Sequence, residues 1–290
     1  NDLKSAHSQY KRYTRSMGGN IVYFSILILA GLFTVLPLVY CVATSLKPLD
    51  ELLIFPPKFF VQRPTFSNYR VLPSLLGNLQ IPVSRYVFNS AFISVVSTFL
   101  SIVVTSLASF TFSKSKVPGK GLLFTIVQLM LLYNAYTLAV PQYLIFAKLG
   151  MIDTYWAYIL PAIPSSVNCF LMKQFMDSSV PNTLLEAARI DGAGVLTMYW
   201  RVVMPIMKPA WMTVLLFSFQ GMWSVVPNGT IFSEQLKTLP YVMSSITAGG
   251  IARSGSAMAV TVILMIPPIV VFMFTQSNVL ETMSNSGIKE

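Results

Sequence analysis

The sequence predicts an all-α integral membrane protein with six transmembrane helices. Of its 290 residues, 54% are apolar and only 10% are charged, whereas ordinary soluble domains are about a quarter charged. So few charges cannot cover the surface of a soluble protein of this size, and lipid is the alternative solvent. A bilayer core about 30 Å thick needs about 20 apolar residues for each helical crossing. The chain is therefore long enough for several crossings and their loops.

Six stretches of the chain contain no Asp, Glu, Lys or Arg, and each is long enough to cross a bilayer. Backbone polar groups in lipid must be satisfied within the segment, so each stretch is expected to be a helix. Several contain proline, which packed membrane helices tolerate at bends. The six predicted spans are 21–46, 86–113, 121–147, 154–172, 209–233 and 254–280.

Basic residues in two short segments predict the orientation of the chain. The segment before the first span carries four Lys or Arg residues against Asp2, and the loop after the second span carries three lysines. Such residues are enriched on the cytoplasmic side. We therefore expect a cytoplasmic N-terminal tail (1–20), a transmembrane domain (21–280) with a cytoplasmic loop (177–208), and a cytoplasmic C-terminal tail (281–290).

The loop 47–85 would face outward in this orientation, although it carries five basic residues against two acidic ones. Long loops are translocated largely regardless of their charge, which would leave this excess without a role. A positive outer face would alternatively attract an anionic substrate or an acidic partner. The sequence leaves both interpretations open.

The chain lacks the residues by which most transporters and enzymes of the membrane obtain energy or catalyse reactions. None of the six spans holds an ionisable Asp, Glu, Lys or Arg that could titrate or ligate a coupling ion. The phosphate-binding pattern GxxxxGK[ST] is absent. Cys41 and Cys169 lie in apolar stretches without metal-ligand spacing, and no carboxylates are paired. We therefore expect no catalytic or metal site, and any energy for uphill transport must come from a partner.

Uncharged polar side chains inside the spans are the candidates for a substrate path. Hydroxyls, amides and aromatic rings can bind sugars by hydrogen bonding and stacking without a charge in the membrane. The same residue types also link helices or mark the membrane interface, so a structural role stays open for each. The candidates are Tyr133, Asn134, Asn168, Gln220 and Trp223.

The loop 177–208 has the pattern of a helix, a glycine turn and a second helix. Thr183 and Glu186, three residues apart, fit a capping box at the start of the first helix. Gly192 and Gly194 are expected to end that helix in a tight turn. Both helices are apolar, which is typical either of a surface that docks in a partner's groove or of a helix lying on lipid.

The residues of this loop resemble the signature of the permease subunits of binding-protein-dependent ATP-binding-cassette (ABC) importers. That signature is Glu-Ala-Ala, a Gly four residues on, and Ile-x-Leu-Pro after nine more. Valine and methionine replace the usual Ile and Leu here. Segments 64–69 and 286–289 and the basic loop near Lys114 are similar to the maltose-type carbohydrate permeases. The matching residues of the loop are Glu186-Ala187-Ala188, Gly192 and Val202-Val203-Met204-Pro205.

The resemblance implies a type I ABC importer permease with six transmembrane helices in a bacterial inner membrane. The loop between spans four and five would be a coupling helix seated in a groove of the ATPase subunit. Its alanines would allow close seating, its glycine would make the turn, and its glutamate would pair with a basic group. The candidate coupling residues are Glu186, Ala187, Ala188, Asp191, Gly192 and Pro205.

The resemblance also implies the partners of the chain. They would be a second, homologous permease, two ATPase subunits that bind ATP and Mg, and an extracytoplasmic binding protein. The chain would be a non-catalytic subunit that holds no cofactor and contacts no nucleic acid. Its substrate would be an oligosaccharide, and the finer similarity is to permeases for uronate-containing saccharides such as alginate or pectin fragments. An ion-driven secondary transporter, a channel subunit or a membrane-bound enzyme are the alternatives.

Overall fold

The computed structural model describes residues 17–76, 81–133, 135–227 and 229–287. These residues form helices and connecting turns, and no strand occurs among them. The prediction of an all-α chain is therefore confirmed for the described segments.

The helices vary widely in length. In the first half of the chain the α-helices are α1 (Met17–Ser45), α2 (Leu49–Leu52), α3 (Ser67–Leu76), α4 (Val83–Lys114), α5 (Lys120–Met130) and α6 (Ala139–Lys148). In the second half they are α7 (Trp156–Ala162), α8 (Ser166–Ser179), α9 (Asn182–Ile190), α10 (Val195–Thr197), α11 (Met204–Ile206), α12 (Lys208–Trp223), α13 (Leu239–Thr247) and α14 (Ser254–Gly287). A π-helix spans Met198–Val203, and short 3₁₀ turns span Ala135–Leu138, Glu234–Leu236 and Ile251–Arg253.

Three helices in the described part of the chain are long and apolar enough to cross a membrane: α1, α4 and the helix that includes α14. A fourth candidate is the pair Val195–Ile206 and Lys208–Trp223, whose two parts meet at 80°. Proline lies inside α1 at Pro37 and inside α14 at Pro267 and Pro268 without ending either helix. The chain is thus a multi-pass helical membrane protein, and six crossings stay a prediction.

The expectation of one continuous helix in each charge-free stretch is wrong for three stretches, of which one ends early and two are interrupted. In the stretch 209–233 the helix α12 ends at Trp223, and the described residues from there to Ser233 are not helical. The stretch 121–147 divides into α5, a 3₁₀ turn and α6. The stretch 154–172 divides between α7 and α8, because Pro164 has no N–H to continue the helix. Ser165 then adopts an extended conformation, and its hydroxyl accepts a hydrogen bond from the backbone N–H of Asn168 at 3.3 Å. This side-chain cap begins a new helix.

Helix α4 lies at the centre of the bundle and packs along α12 and α8. Helix α14 packs along α12 on another side and is covered by α1 and α13. The buried face of α4 is lined largely by serine and threonine rather than by large apolar side chains. Small residues allow helices to approach closely, and this explains why a 32-residue helix fits between two neighbours.

Candidate functional site

The helix that carries the Glu-Ala-Ala sequence begins two residues earlier than the capping box requires. Pro181 is extended (φ −65°, ψ 142°) and precedes α9, so Thr183 is already inside the helix. At that position its hydroxyl accepts no hydrogen bond from the free N–H groups of the first turn. In the described structure neither Thr183 nor Glu186 caps the helix, and the predicted capping box is wrong.

The predicted glycine turn after this helix is confirmed. Gly192 has φ +82°, a left-handed conformation that side chains with a Cβ rarely adopt. Its N–H donates to the carbonyl of Arg189 at 3.0 Å, and the N–H of Ala193 donates to the carbonyl of Ala188 at 2.9 Å. This pair of bonds is a Schellman motif, which satisfies the last carbonyls of the helix.

The helix and its turn present their motif residues to the surroundings. Five of the six candidate coupling residues are exposed, and Ala188 is half-buried. Two apolar side chains stand out from the same segment, since Ile190 is 86% exposed and Leu196 is 69% exposed. Within the described chain the carboxylate of Glu186 forms no ion pair or hydrogen bond. The exposed candidates are Glu186, Ala187, Asp191, Gly192 and Pro205.

The second half of loop 177–208 is fixed to the bundle by a residue that the sequence analysis did not single out. Tyr199 lies in the π-helix and is 1% exposed. Its hydroxyl is 2.5 Å from the hydroxyl of Ser106 on α4, and its ring makes an edge contact with Phe110 at 5.5 Å between centroids. Some indication of this bond was present in the sequence, because the hydroxyl of a buried tyrosine usually has a hydrogen-bond partner and the segment that forms α4 is rich in serine.

The entry to this loop is fixed by charged groups at the ends of α4 and α8. The ammonium of Lys114 donates to the carbonyl of Val180 at 2.6 Å. Asp177 accepts hydrogen bonds from Ser113 and from Lys173, the latter at 2.6 Å. Burial raises the pKa of Asp177, but these hydrogen bonds outweigh it, so the pKa lies below its ordinary value. The carboxylate is therefore charged at neutral pH and ties α8 to α4.

A cavity of about 1130 Å³ opens where the two interrupted stretches face α4. Tyr133, Gln142, Ser165 and Ser166 supply polar groups to a wall that is otherwise mainly apolar. Non-helical backbone is tolerated at membrane depth where it lines such a cavity. Gln142 was missed by the sequence analysis, although it is an uncharged amide in a predicted span and meets the criterion used for the other candidates.

The structure does not bring together the four substrate-path candidates that it describes. Tyr133 borders the larger cavity, and Asn134 lies outside the described residues. Asn168 is buried and donates to the hydroxyl of Ser218 at 2.9 Å. Trp223 borders a separate cavity of about 410 Å³, and its indole N–H donates to a backbone carbonyl of α14 at 2.8 Å. Gln220 is exposed.

A second well-fixed segment, loop 229–239, lies at the opposite end of α4. Asp153 accepts hydrogen bonds from the backbone N–H groups of Phe232 at 3.0 Å and Ser233 at 2.8 Å, and from the Ser233 hydroxyl. The bonds from Ser233 lower the pKa of Asp153 below its ordinary value, and outweigh the opposing effect of burial. Asn89 on α4 donates to the carbonyls of Gln235 and Lys237, both at 2.8 Å.

These features define the class of the molecule as a multi-pass helical membrane protein with a cavity between interrupted helices and an exposed helix–turn motif. No protein-family profile matches the chain. The polygalacturonan/rhamnogalacturonan transport system permease protein YtcP of Bacillus subtilis (strain 168) is 26% identical over 286 residues, which cover 89% of this chain and 94% of that protein. The arabinooligosaccharides transport system permease protein AraQ of the same organism is 26% identical over 276 residues, 92% of this chain and 94% of that protein.

The fold has a counterpart among solved structures. A chain from the crystal structure of a bacterial ABC transporter involved in the import of the acidic polysaccharide alginate superimposes with a TM-score of 0.74 at 22% identity. The match covers 91% of this chain and 98% of that one. The predicted relationship to the permease subunits of sugar ABC transport systems is therefore confirmed. Because these relatives are transport permeases, the chain is a non-catalytic membrane subunit.

Proposed function

We propose that the chain forms the translocation path of an ATP-driven oligosaccharide importer, and that loop 177–208 docks the partner ATPase. The carrying observation is the exposed helix–turn from Glu186 to Gly192, which holds apolar and acidic groups toward the surroundings on a loop fixed at both ends. A short flexible link would suffice to join two spans. An ordered apolar surface instead favours docking in a partner's groove. We call residues 177–208 the coupling loop from here on.

In this proposal the chain crosses a bacterial inner membrane six times with both termini in the cytoplasm. The crossings are α1, α4, α5 with α6, α7 with α8, α12 and α14. The helices of the two interrupted crossings are each too short to span a membrane alone. Together α5 and α6 cover the charge-free stretch 121–147, and α7 and α8 cover most of the stretch 154–172, with α8 continuing beyond it to Ser179. Residues 1–16 and 288–290 lie outside the described residues, so the cytoplasmic location of the tails rests on the positive-inside rule alone.

The proposed assembly contains a second homologous permease, two ATPase subunits that bind ATP and Mg, and an extracytoplasmic binding protein. Relatives at 26% identity serve sugar transport systems, which supports this composition. Helix α1 also supports a partner within the membrane, because only 6% of its most apolar window is buried in this chain. Lipid and a second permease would share that surface.

The proposed substrate is an oligosaccharide, and within that class an acidic one. The residues that line the larger cavity carry no charge and offer hydroxyl, amide and aromatic groups, which suits the hydroxyl-rich face of a sugar. The outer loop adds the exposed basic side chains of Lys58 and Arg70, which would attract an anionic saccharide by long-range electrostatics, whereas Arg63 is paired with Asp50. The names of two similar proteins, which cite polygalacturonan and alginate, favour the same class.

Uptake into proteoliposomes that contain the purified complex tests both levels of this proposal. We expect ATP inside the vesicles to drive entry of uronate oligosaccharides in the presence of the binding protein, and the Glu186→Ala variant to lose this uptake. Uptake driven by an ion gradient without ATP would overturn the importer and favour a secondary transporter. Uptake of neutral maltodextrins without uronates would overturn the acidic substrate alone.

A further inference from the structure

Helix α4 holds the coupling loop at two points near its C-terminal end. Lys114 donates to the carbonyl of Val180, just before the first helix of that loop, at 2.6 Å, and lies 3.4 Å from the side-chain oxygen of Asn182. Ser106 and Tyr199 are joined by a buried hydroxyl–hydroxyl bond of 2.5 Å, and each is 1% exposed. Both sides of the coupling helix are therefore attached to one element of the bundle.

The other end of α4 grips loop 229–239 in the same way. The hydroxyl of Tyr86 donates to the carboxylate of Glu234 at 2.9 Å, and Asn89 donates to two carbonyls of the loop at 2.8 Å each. The hydroxyl of Ser90 accepts from the backbone N–H of Leu239 at 2.8 Å. Tyr86, Asn89 and Ser90 are completely buried, so these bonds are shielded from competition with water.

The middle of α4 has the opposite character. The hydroxyls of Ser94, Ser97, Thr98 and Ser101 are buried and have no hydrogen-bond partner in the described part of the chain. Their side chains are small, so this section approaches its neighbours closely without being tied to them. In the described structure no hydrogen bond from these hydroxyls holds the section to a neighbouring helix, so the section can slide past its neighbours without breaking one.

The geometry points to α4 as the element that carries movement of the coupling loop to loop 229–239. Its 32 residues extend about 48 Å, enough to connect the two faces of a bilayer. Lys114, Ser106 and Tyr199 act as positioning residues at one joint, while Tyr86, Asn89 and Ser90 act at the other. This inference rests on the proposed function, since docking of the ATPase at the coupling loop supplies the movement.

The test measures whether nucleotide binding at one end changes loop 229–239 at the other end. Phe232 is 62% exposed in that loop, so Phe232→Cys provides a site for a water-soluble thiol reagent once Cys41 and Cys169 are replaced by alanine. The labelling rate is compared in the complete complex without nucleotide and with ATP plus vanadate. Tyr199→Phe and Ser106→Ala remove the same bond from either side, and Ser90→Ala weakens the opposite joint.

Thr111→Val is the matched control, because the Thr111 hydroxyl on α4 bonds only to the carbonyl of Leu107 in the same helix. We expect nucleotide trapping to change the labelling rate of the cysteine at position 232 when both joints are unmodified and also in the Thr111→Val control. Each joint variant should reduce that change roughly fivefold, the factor equivalent to one net hydrogen bond, while the yield of the complex is maintained.

Each outcome bears either on the role of α4 or on the proposed function. An unchanged nucleotide response in the joint variants, or no response with intact joints, overturns the role of α4. If Tyr199→Phe reduces the yield of complex, the role of α4 is judged from Ser106→Ala and Ser90→Ala. Both substitutions remove only a small hydroxyl and leave the aromatic packing of Tyr199 intact. A purified complex that holds no ATPase and traps no nucleotide overturns the proposed function instead.

Discussion

Replacing Gly192 by alanine tests the geometry of the coupling helix most sharply. At φ +82° an alanine is strained by its own backbone, although a Cβ there would meet no atom within 4 Å. The left-handed conformation costs an L-residue about 1–2 kcal/mol. A free loop can relax by unwinding the turn, whereas a partner groove requires the turn to be held. We therefore expect Gly192→Ala to weaken binding of the ATPase about 5- to 30-fold.

Gly194 provides the matched control two residues further on. It also has open space around its Cα, but its φ of −70° suits any residue. Gly194→Ala should leave binding nearly unchanged. Alanine stabilises by about 0.4–1 kcal/mol through the lower conformational entropy of the unfolded chain, and this is offset because alanine is a poorer N-cap than glycine for α10. Gly192→Asn should recover part of the loss, since asparagine tolerates the left-handed region better than alanine.

The assay is a titration of the detergent-solubilised chain with the purified ATPase subunit, with the dissociation constant measured for each variant. The predicted order of affinity is Gly194→Ala close to the unmodified chain, then Gly192→Asn, then Gly192→Ala. Equal dissociation constants for the two alanine variants would refute the reasoning, because the chemical change is the same and only the backbone conformation differs.

Four further predictions concern single side chains. Glu186→Ala should weaken ATPase binding without lowering the Tm of the chain, because its carboxylate is exposed and caps nothing; a large drop in Tm would contradict this. Asp153→Asn should lower the Tm at neutral pH, and the difference in Tm should vanish in acid. The pKa of Asp153 is lower in the folded protein than in the unfolded chain, so its carboxylate stabilises the fold at pH values above the unfolded-state pKa. This stabilisation is lost as the pH falls through the folded-state pKa. Trp223→Phe leaves a carbonyl of α14 unpaired and should destabilise the fold by about 1–3 kcal/mol in denaturant titrations; lost uptake at unchanged stability would instead place Trp223 on the substrate path. Tyr133→Ala should raise the KM for uptake roughly fivefold through loss of one aromatic contact, and an unchanged KM would remove Tyr133 from the path.

Much of the fold was predictable because lipid imposes few solutions on an apolar chain. Charge-free stretches locate helical segments, since backbone groups in lipid must bond within the helix. They do not show where a helix is interrupted. Helix α1 continues through Pro37, whereas α7 ends before Pro164. The difference lies in the residue that follows Pro164. Ser165 can cap a new helix, a local choice that hydropathy does not report.

The coupling loop divides in the same way between predictable and unpredictable features. The turn at Gly192 followed from residue type, because few residues other than glycine adopt a positive φ. The capping box at Thr183 and Glu186 failed because Pro181 is extended and places the helix start directly after it. The bond between Ser106 and Tyr199 joins residues 93 positions apart, and only tertiary packing brings such residues together.

The most direct test of the central claim is site-specific photo-crosslinking in the native membrane. A photoreactive amino acid at Ile190, which is 86% exposed on the coupling helix, reports what covers that surface. The same probe at Phe60, 70% exposed in the segment before α3, is the control. The account predicts that mass spectrometry finds an ATPase subunit attached at Ile190 and none at Phe60. Attachment of lipid alone at Ile190 would contradict it and identify the loop as a helix lying on the membrane surface.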